Sequence, residues 1–338
     1  ITTSGTLDPI TLQVISSDPF LHVTLPENEL DLMNQNFYCE EDEDYYSLDD
    51  GPDGNIVGDC LHLALENGDG HVGGPGQGSS QYVEKAPMLN INWGQGSFDD
   101  PNVYNKYCFR FNLLNHVKQA ITGCTITALS MICAYNHYPT TMTVNGLTWG
   151  EPEWNAVCQI PDATELDAES QEIVSRLMAA GYYGVAGRKL ALWGGTMVTP
   201  KALADLMTDW GFCDVERHSS SGVGHNQISA ISEMLYNDLP VIISAIPNIR
   251  VTHSHTWVID GARYDDNGNY LLHFNFGWRG SYNGYFSTTC LNPTCAESYD
   301  NINQTCSDED DEEYTTHFRI ITYAIPDYPV NFRYYYSY

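Results

Sequence analysis

A cysteine and a histidine are the residues of this chain best suited to nucleophilic chemistry. Cys124 follows Gly123 where a turn becomes a helix, and apolar residues then recur at near-helical spacing from Ile126 to Ala134. The unpaired amides and the dipole of a helix N-terminus favour a thiolate over a thiol. Cys124 is therefore a candidate nucleophile. The alternative is a small apolar core residue, which is the more usual role of a buried cysteine.

A thiolate nucleophile needs a base, and His255 has the surroundings of one. It begins the segment His-Thr-Trp-Val-Ile-Asp-Gly, whose composition predicts a strand that enters the core. A histidine at a strand end is held by a rigid element and can still face a cleft. The alternative is a structural histidine whose ring nitrogens are satisfied locally.

Two further segments supply residues that could assist this pair. Asn275 follows the next predicted strand and could orient the imidazole, while Phe276 and Trp278 could shield that hydrogen bond from water. Upstream, the side-chain amide of Gln95 could donate to a developing oxyanion, with the Cys124 backbone amide as the second donor. Taken singly, these are ordinary turn, core and loop residues.

Together the segments resemble the streptopain family of secreted cysteine peptidases, which belongs to the papain-like clan. They stand in the family's order: Trp93-Gly94-Gln95-Gly96 with Tyr104-Asn105, Gly123-Cys124 through Tyr138-Pro139, His255 to Gly261, and Asn275 to Gly280. The resemblance covers about residues 85 to 325. It implies a two-lobed papain-like fold with Cys124 as nucleophile and His255 as general base, then acid. It further implies that Gln95 contributes to the oxyanion hole and that Asn275 and its aromatic neighbours support His255.

The chain also departs from the family pattern near these motifs. Phe276 replaces the usual first tryptophan, Arg279 replaces a glycine, and Met131 stands where relatives often carry glutamine. We expect these departures to alter substrate preference more than the chemistry.

The elements that must position these residues follow from periodicity and turn signals. Helices are predicted over 124–136, 169–181, 200–211 and 226–237, and strands over 240–246, 255–263, 269–276, 284–288 and 316–324. A run of Asp, Asn and Gly at 265–269 predicts a hairpin between two of these strands. Helices first and antiparallel strands later indicate an α+β fold. The resemblance implies that these elements form a helical lobe and a sheet lobe with the cleft between them.

Residues 1–85 differ in character from residues 86–338, which we assign to the peptidase domain. This β-rich N-terminal region has predicted strands at Ile10–Val14 and Leu21–Leu25 and a glycine-rich run, Gly68–Gly78. The resemblance implies that it is an inhibitory pro-segment, so that the chain is a zymogen. It could instead be an accessory module, or an arm that adds a strand to a neighbouring subunit and makes a homo-oligomer.

Composition limits the partners and cofactors of the chain. Its 44 acidic and 14 basic residues give a formal net charge of −30, which argues against nucleic-acid or anionic-membrane partners. No apolar run approaches the roughly 18 residues of a membrane span. The implied partners are protein or peptide substrates, and the chemistry needs no cofactor. Asp49, Asp50 and Asp53 could form a calcium loop, although a solvated loop is the favoured alternative.

The ten cysteines form no Cys-x-x-Cys pair, and several lie in polar loops, which predicts disulfides and secretion. Cys39 and Cys60 are a candidate pair. The cluster Cys290, Cys295 and Cys306 should contain another, and Cys133 is a candidate buried free thiol. Asn303 begins a glycosylation sequon.

These observations together predict a secreted cysteine endopeptidase. The alternative is a structural or assembly protein built on a peptidase-like domain, such as an oligomer or filament subunit, with activity lost or limited to self-processing. It is motivated by the N-terminal region, the spare cysteines and the aromatic tail that begins at Phe332.

Overall fold

The computed structural model of the chain describes residues 82–111, 117–185, 189–190, 197–220, 223–247, 254–287 and 314–336. Over these ranges the helices are α1 (Cys124–Asn136), α2 (Glu151–Val157), α3 (Ala168–Gly184), α4 (Pro200–Asp209) and α5 (His225–Tyr236). The longer strands are β7 (Cys213–Ser220), β8 (Val241–Pro247), β9 (His255–Tyr264), β10 (Tyr270–Asn275), β11 (Gly284–Ser287) and β12 (Tyr314–Ala324). The shorter ones are β1 (Phe109–Phe111), β2 (Val117–Gln119), β3 (Thr141–Val144), β4 (Leu147–Trp149), β5 (Lys189–Leu190), β6 (Met197–Val198) and β13 (Asn331–Tyr334).

A six-stranded sheet in the order β11-β10-β9-β8-β12-β7 forms one lobe, and all its pairings are antiparallel. Its central strand β9 is buried from His255 through Ala262, because α1 and α5 pack against it. The turn into β10 is closed by Asp265, whose carboxylate accepts the backbone N–H groups of Asn267 and Asn269. The predicted hairpin and the predicted α+β class are both confirmed.

Helix α1 is the core of the helical lobe and is buried all round from Thr125 through Ala134. It packs against β9 on one side and against α3 on the other. Gly181 of α3 allows the close approach, since a Cβ at that position would lie 2.7 Å from Ile126 Cγ2. A helix with no polar face must lie between other elements, and here it brings its first residue to the junction of the two lobes.

The segment that leads into the domain lies across the sheet lobe beside β9. Lys85 and Ala262 exchange two backbone hydrogen bonds, and the Leu89 N–H donates to the buried Asp260 carboxylate at 3.0 Å. A Cβ on Gly261 would lie 2.9 Å from the Lys85 carbonyl oxygen, so glycine is required there. The Asp-Gly end of the His255–Gly261 motif is thereby explained as a docking site for this segment.

The predicted helices and long strands are confirmed with shifts of a few residues at their ends. Helix α2, strands β7 and β13 and the short strands were not predicted from the sequence. Strand β7 escaped prediction because, among the described residues, it lies at the edge of the sheet beside β12, and its exposed positions carry charged side chains. The predicted strands Ile10–Val14 and Leu21–Leu25 lie outside the described residues, so the division at residue 85 stays a prediction.

Among the cysteines that the structure describes, Cys124, Cys133, Cys158 and Cys213 are free thiols, and Cys108 is buried. Cys133 is buried as expected, and burial raises the pKa of its thiol. The candidate disulfide cysteines, the sequon at Asn303 and the calcium candidates Asp49, Asp50 and Asp53 lie outside the described residues. In the described part of the chain no helix is long and apolar enough to cross a membrane.

Candidate active site

Cys124 is the first residue of α1, as the sequence predicts. Gly123 precedes it with φ 92° and ψ 151°, a conformation that glycine adopts without a Cβ penalty. No side chain caps the helix, and its first turn contains no acidic residue. The first backbone N–H groups of α1 therefore have no side-chain cap, and such groups at a helix N-terminus favour negative charge nearby.

The thiol of Cys124 is activated by its neighbours. Burial raises its pKa, but the charge of His255 and a hydrogen bond with that side chain lower it, and the Thr256 backbone amide assists. The net effect lowers the pKa of Cys124 to about 7. The residue as a whole remains partly exposed, so a substrate can reach the sulfur. A partly exposed thiol with a depressed pKa is the environment of a reactive cysteine.

His255 is held by a backbone carbonyl. Its Nε2 lies 2.9 Å from the carbonyl oxygen of Phe276, and the residue is only 6% exposed. Because a carbonyl oxygen can only accept, we assign the proton of the neutral imidazole to Nε2. Nδ1 is then the nitrogen available to take the proton of the Cys124 thiol.

The expectation that the Asn275 side chain orients the imidazole requires correction. Its Nδ2 donates to the Ile91 carbonyl at 2.9 Å, and its Oδ1 accepts the Gly277 N–H at 3.2 Å. Asn275 is the last residue of β10, so its side chain is directed at the segment beside the sheet rather than at His255. It shapes the turn that presents the Phe276 carbonyl, and the direct contact to His255 comes from the backbone.

Two aromatic residues, Phe276 and Trp278, pack beside His255. The Trp278 ring lies 4.4 Å from the His255 ring between centroids, and Phe276 stacks against Trp278 at 5.2 Å. Phe276 is fully buried. These rings cover the hydrogen bond between His255 and the carbonyl, and exclusion of water strengthens such a bond.

Gln95 lies on a loop that is attached to the start of α1. Its backbone carbonyl accepts the Thr122 N–H at 3.0 Å, and the Thr127 hydroxyl donates to the Gly94 carbonyl at 3.3 Å. Gly96 has φ 82°, and a Cβ there would overlap the side chain of Asn105. The Gly residues on both sides of Gln95 and the buried Asn105 thus hold this loop close to Cys124.

A hydrogen bond that was not predicted from the sequence joins the start of α1 to the start of β9. The hydroxyl of Thr125, the residue after Cys124, donates to the hydroxyl of Thr256, the residue after His255, at 3.1 Å. Both threonines are buried. A pocket opens beside this contact and is lined by Cys124, Thr125, Val198, Pro200, Ser244, Ala245, Ile246, Ser254, Thr256, His317 and Arg319. The two threonines are 131 residues apart and no single motif contains both, so the sequence gives no signal of this contact.

Comparisons with known proteins give a family match and similar solved structures. The sequence model of the Peptidase C10 family matches residues 93–286, which is more than half of the 338 residues. The structure of active wild-type interpain A cysteine protease from Prevotella intermedia is 21% identical, with a TM-score of 0.50, and the similarity covers 72% of this chain and 96% of that chain. A prointerpain A fragment from the same organism is 18% identical, with a TM-score of 0.45, over 80% of this chain and 82% of that chain.

No curated protein matches the sequence. At 21% identity the likeness to interpain A concerns the fold, and the family match carries the assignment. With a cysteine at a helix start, a histidine at a strand start and the family's sequence pattern over the region that contains both, the chain belongs to the peptidase C10 family of cysteine peptidases.

Proposed function

We propose that this cysteine peptidase cleaves internal peptide bonds through Cys124 and His255. The observation that carries the proposal is the pairing of a thiol at an uncapped helix N-terminus with an imidazole whose Nε2 is occupied by the Phe276 carbonyl. The family match favours this function over a purely structural role. The substrates are proteins or peptides.

The reaction proceeds by acyl transfer. The Cys124 thiolate attacks the scissile carbonyl carbon, and the new oxyanion accepts hydrogen bonds from the Cys124 N–H and the Gln95 side-chain amide. His255 donates its Nδ1 proton to the leaving amine as the C–N bond breaks, which leaves a thioester. A water molecule then gives a proton to His255 and attacks the thioester. The acid product departs and the thiolate is regenerated.

We further propose that residues 1–85 are a pro-segment and that the protein is secreted. The described end of this region, from 82 to 85, is already attached to β9 through Lys85. Cleavage near residue 85 would separate this region from the catalytic lobes. Cysteines placed in polar loops support an oxidising compartment.

The decisive experiment compares Cys124→Ala with Cys158→Ala in the full chain. Cys158 is also free and partly exposed, but burial raises the pKa of its thiol to about 12, so it is a matched control. We expect casein hydrolysis to be abolished in the first variant and retained in the second. Casein hydrolysis that survives in Cys124→Ala would refute the proposal.

The pH dependence of alkylation tests the same assignment without a substrate. Because the pKa of Cys124 is lowered from 9.0 to about 7, thiolate is present in quantity at pH 7 and falls away below it. We expect iodoacetamide to modify Cys124 with half-maximal rate near pH 7, and well ahead of Cys158. A half-maximal rate near pH 9 would show that His255 does not activate the thiol.

A further inference from the structure

Arg279 lies on the loop after β10, which also contains Phe276 and Trp278, the residues that contact His255. Its side chain connects this loop to the helical lobe. Arg279 follows Trp278, and its backbone N–H donates to the Trp93 carbonyl at 3.1 Å. Its Nε donates to the Asp162 carboxylate at 2.7 Å, and its Nη2 donates to Thr164 Oγ1 at 3.2 Å. Asp162 and Thr164 lie at the short 3₁₀ turn that precedes α3, in the lobe that contains α1.

The receiving carboxylate is itself fixed in place. The Tyr104 hydroxyl donates to Asp162 Oδ1 at 2.7 Å and accepts the Ala163 N–H at 2.9 Å. The Thr164 backbone N–H also donates to Oδ1. Burial raises the pKa of Asp162, but the hydrogen bonds from Tyr104, Thr164 and Arg279 outweigh it and lower the pKa overall. Arg279 therefore binds a charged group that has little freedom to move.

The stem of Arg279 also contacts the loop that holds Gln95. A Cβ on Gly94 would lie 2.8 Å from Arg279 Cγ, so the aliphatic part of the side chain lies on the backbone next to Gln95. One residue thus touches the oxyanion loop and the helical lobe. Its own backbone continues directly into Trp278 and Phe276, the two residues that contact His255.

The backbone of Arg279 indicates that its side chain is there for more than stability. Its φ is 56°, in the left-handed region where glycine is favoured. The ion pair is 51% exposed on the arginine side, and exposed pairs contribute little to folding. The backbone conformation of Arg279 is unfavourable and its ion pair adds little to the free energy of folding. This combination points to a role in the geometry of the site.

We propose that Arg279 is a positioning residue that sets the separation of His255 from Cys124. The loop after β10 contains Trp278 and the Phe276 carbonyl. Arg279 anchors this loop to Asp162, on the other side of the junction between the lobes. The inference rests on the proposed function and adds to it a determinant of catalytic geometry. Asp162, which binds the guanidinium, and Tyr104, which holds Asp162, belong to the same interaction.

The test compares Arg279→Gly, Arg279→Lys and Asp162→Asn in the full chain. Arg279→Gly removes the ion pair with Asp162 but places glycine at a backbone position with positive φ, which glycine adopts without strain. We therefore expect little loss of thermal stability. We expect kcat to fall roughly tenfold with KM changed less than about twofold, because misplacement of the reacting groups acts on the chemical step. The half-maximal pH for alkylation of Cys124 should rise. Arg279→Lys should retain part of the rate, since lysine keeps the charge without the planar fork.

Arg333→Ala serves as the control, because it removes an exposed arginine of β13 and should leave kcat and the alkylation profile unchanged. The double variant Arg279→Gly with Asp162→Asn should be no worse than either single one. The inference is overturned if Arg279→Gly keeps the wild-type kcat and alkylation profile, or if KM alone rises, which would make Arg279 a substrate contact. In either case the wild-type peptidase activity would still stand. A wild-type thiol with no low-pH reactivity would overturn the proposed function together with this inference.

Discussion

Two histidines on neighbouring strands of the sheet have different hydrogen-bond acceptors and different roles. His255 at the start of β9 is bound by the neutral Phe276 carbonyl, and its other ring nitrogen faces a thiol. His273 on β10 is bound through Nδ1 to the buried Asp260 carboxylate at 2.6 Å, and Asp260 also accepts the Leu89 N–H. In the proposed reaction, His255 exchanges a proton with the substrate. His273 instead supports Asp260, which attaches the segment from 82 to 92 to the sheet.

The hydrogen-bond acceptor therefore distinguishes the two histidines more than their strands do. A backbone carbonyl fixes the tautomer of His255 and leaves its charge free to change during a reaction. The buried Asp260 carboxylate needs its hydrogen bonds to His273 and the Leu89 N–H, because an unpaired buried charge would destabilise the fold. Removing each histidine should therefore have a different consequence.

The largest effect should come from His255→Ala, compared with His273→Ala. We expect the first to lower kcat/KM by about a thousandfold or more, since the thiolate loses its base and the leaving group its acid. The second should retain most of its activity and lose stability. Peptide hydrolysis and thermal unfolding measured on both variants would check this. Equal losses of activity would remove the distinction between the two histidines.

The next effect concerns Asp260→Ala, which removes the acceptor of both His273 and the Leu89 amide. We expect the free energy of unfolding to fall by about 3–5 kcal/mol, because a buried hydrogen-bonded pair is broken from one side. Urea unfolding in the Cys124→Ala background would measure it without self-digestion. Asp260→Asn, which keeps an oxygen acceptor, should lose less. A loss below about 1 kcal/mol would show that the segment is held by other contacts.

The smallest effect should come from Asn275→Ala, which separates a shaping role from a direct one. Its side chain fixes the turn that presents the Phe276 carbonyl, so we expect kcat to fall about tenfold, with a small rise in the half-maximal pH for alkylation of Cys124. Asn155→Ala, an exposed residue of α2, is the control and should be neutral. If Asn275→Ala were as inactive as His255→Ala, Asn275 would have a direct part in the chemistry.

Much of the site was predictable because its residues stand at the ends of regular elements. The periodicity after Cys124 and the strand composition after His255 predict α1 and β9, and the motif order predicts the family. The role of Asn275 could not be predicted, because a side chain at a strand end can turn to either side of the backbone. The Phe276 carbonyl was equally hidden, since every residue has one and the sequence does not mark which is used.

Periodicity and motif order are local properties, so most of the helices and long strands, the helix-start cysteine, the strand-start histidine and the family could be predicted from the sequence. The contacts between distant residues depend on the packing of the fold. This packing paired Thr125 with Thr256, gave His255 a carbonyl acceptor, and placed Arg279 against Asp162. These contacts could not be predicted from the sequence because they join residues that are far apart in the chain. Their geometry is set by how α1, β9 and the loop after β10 pack together, and the spacing of residues does not encode it.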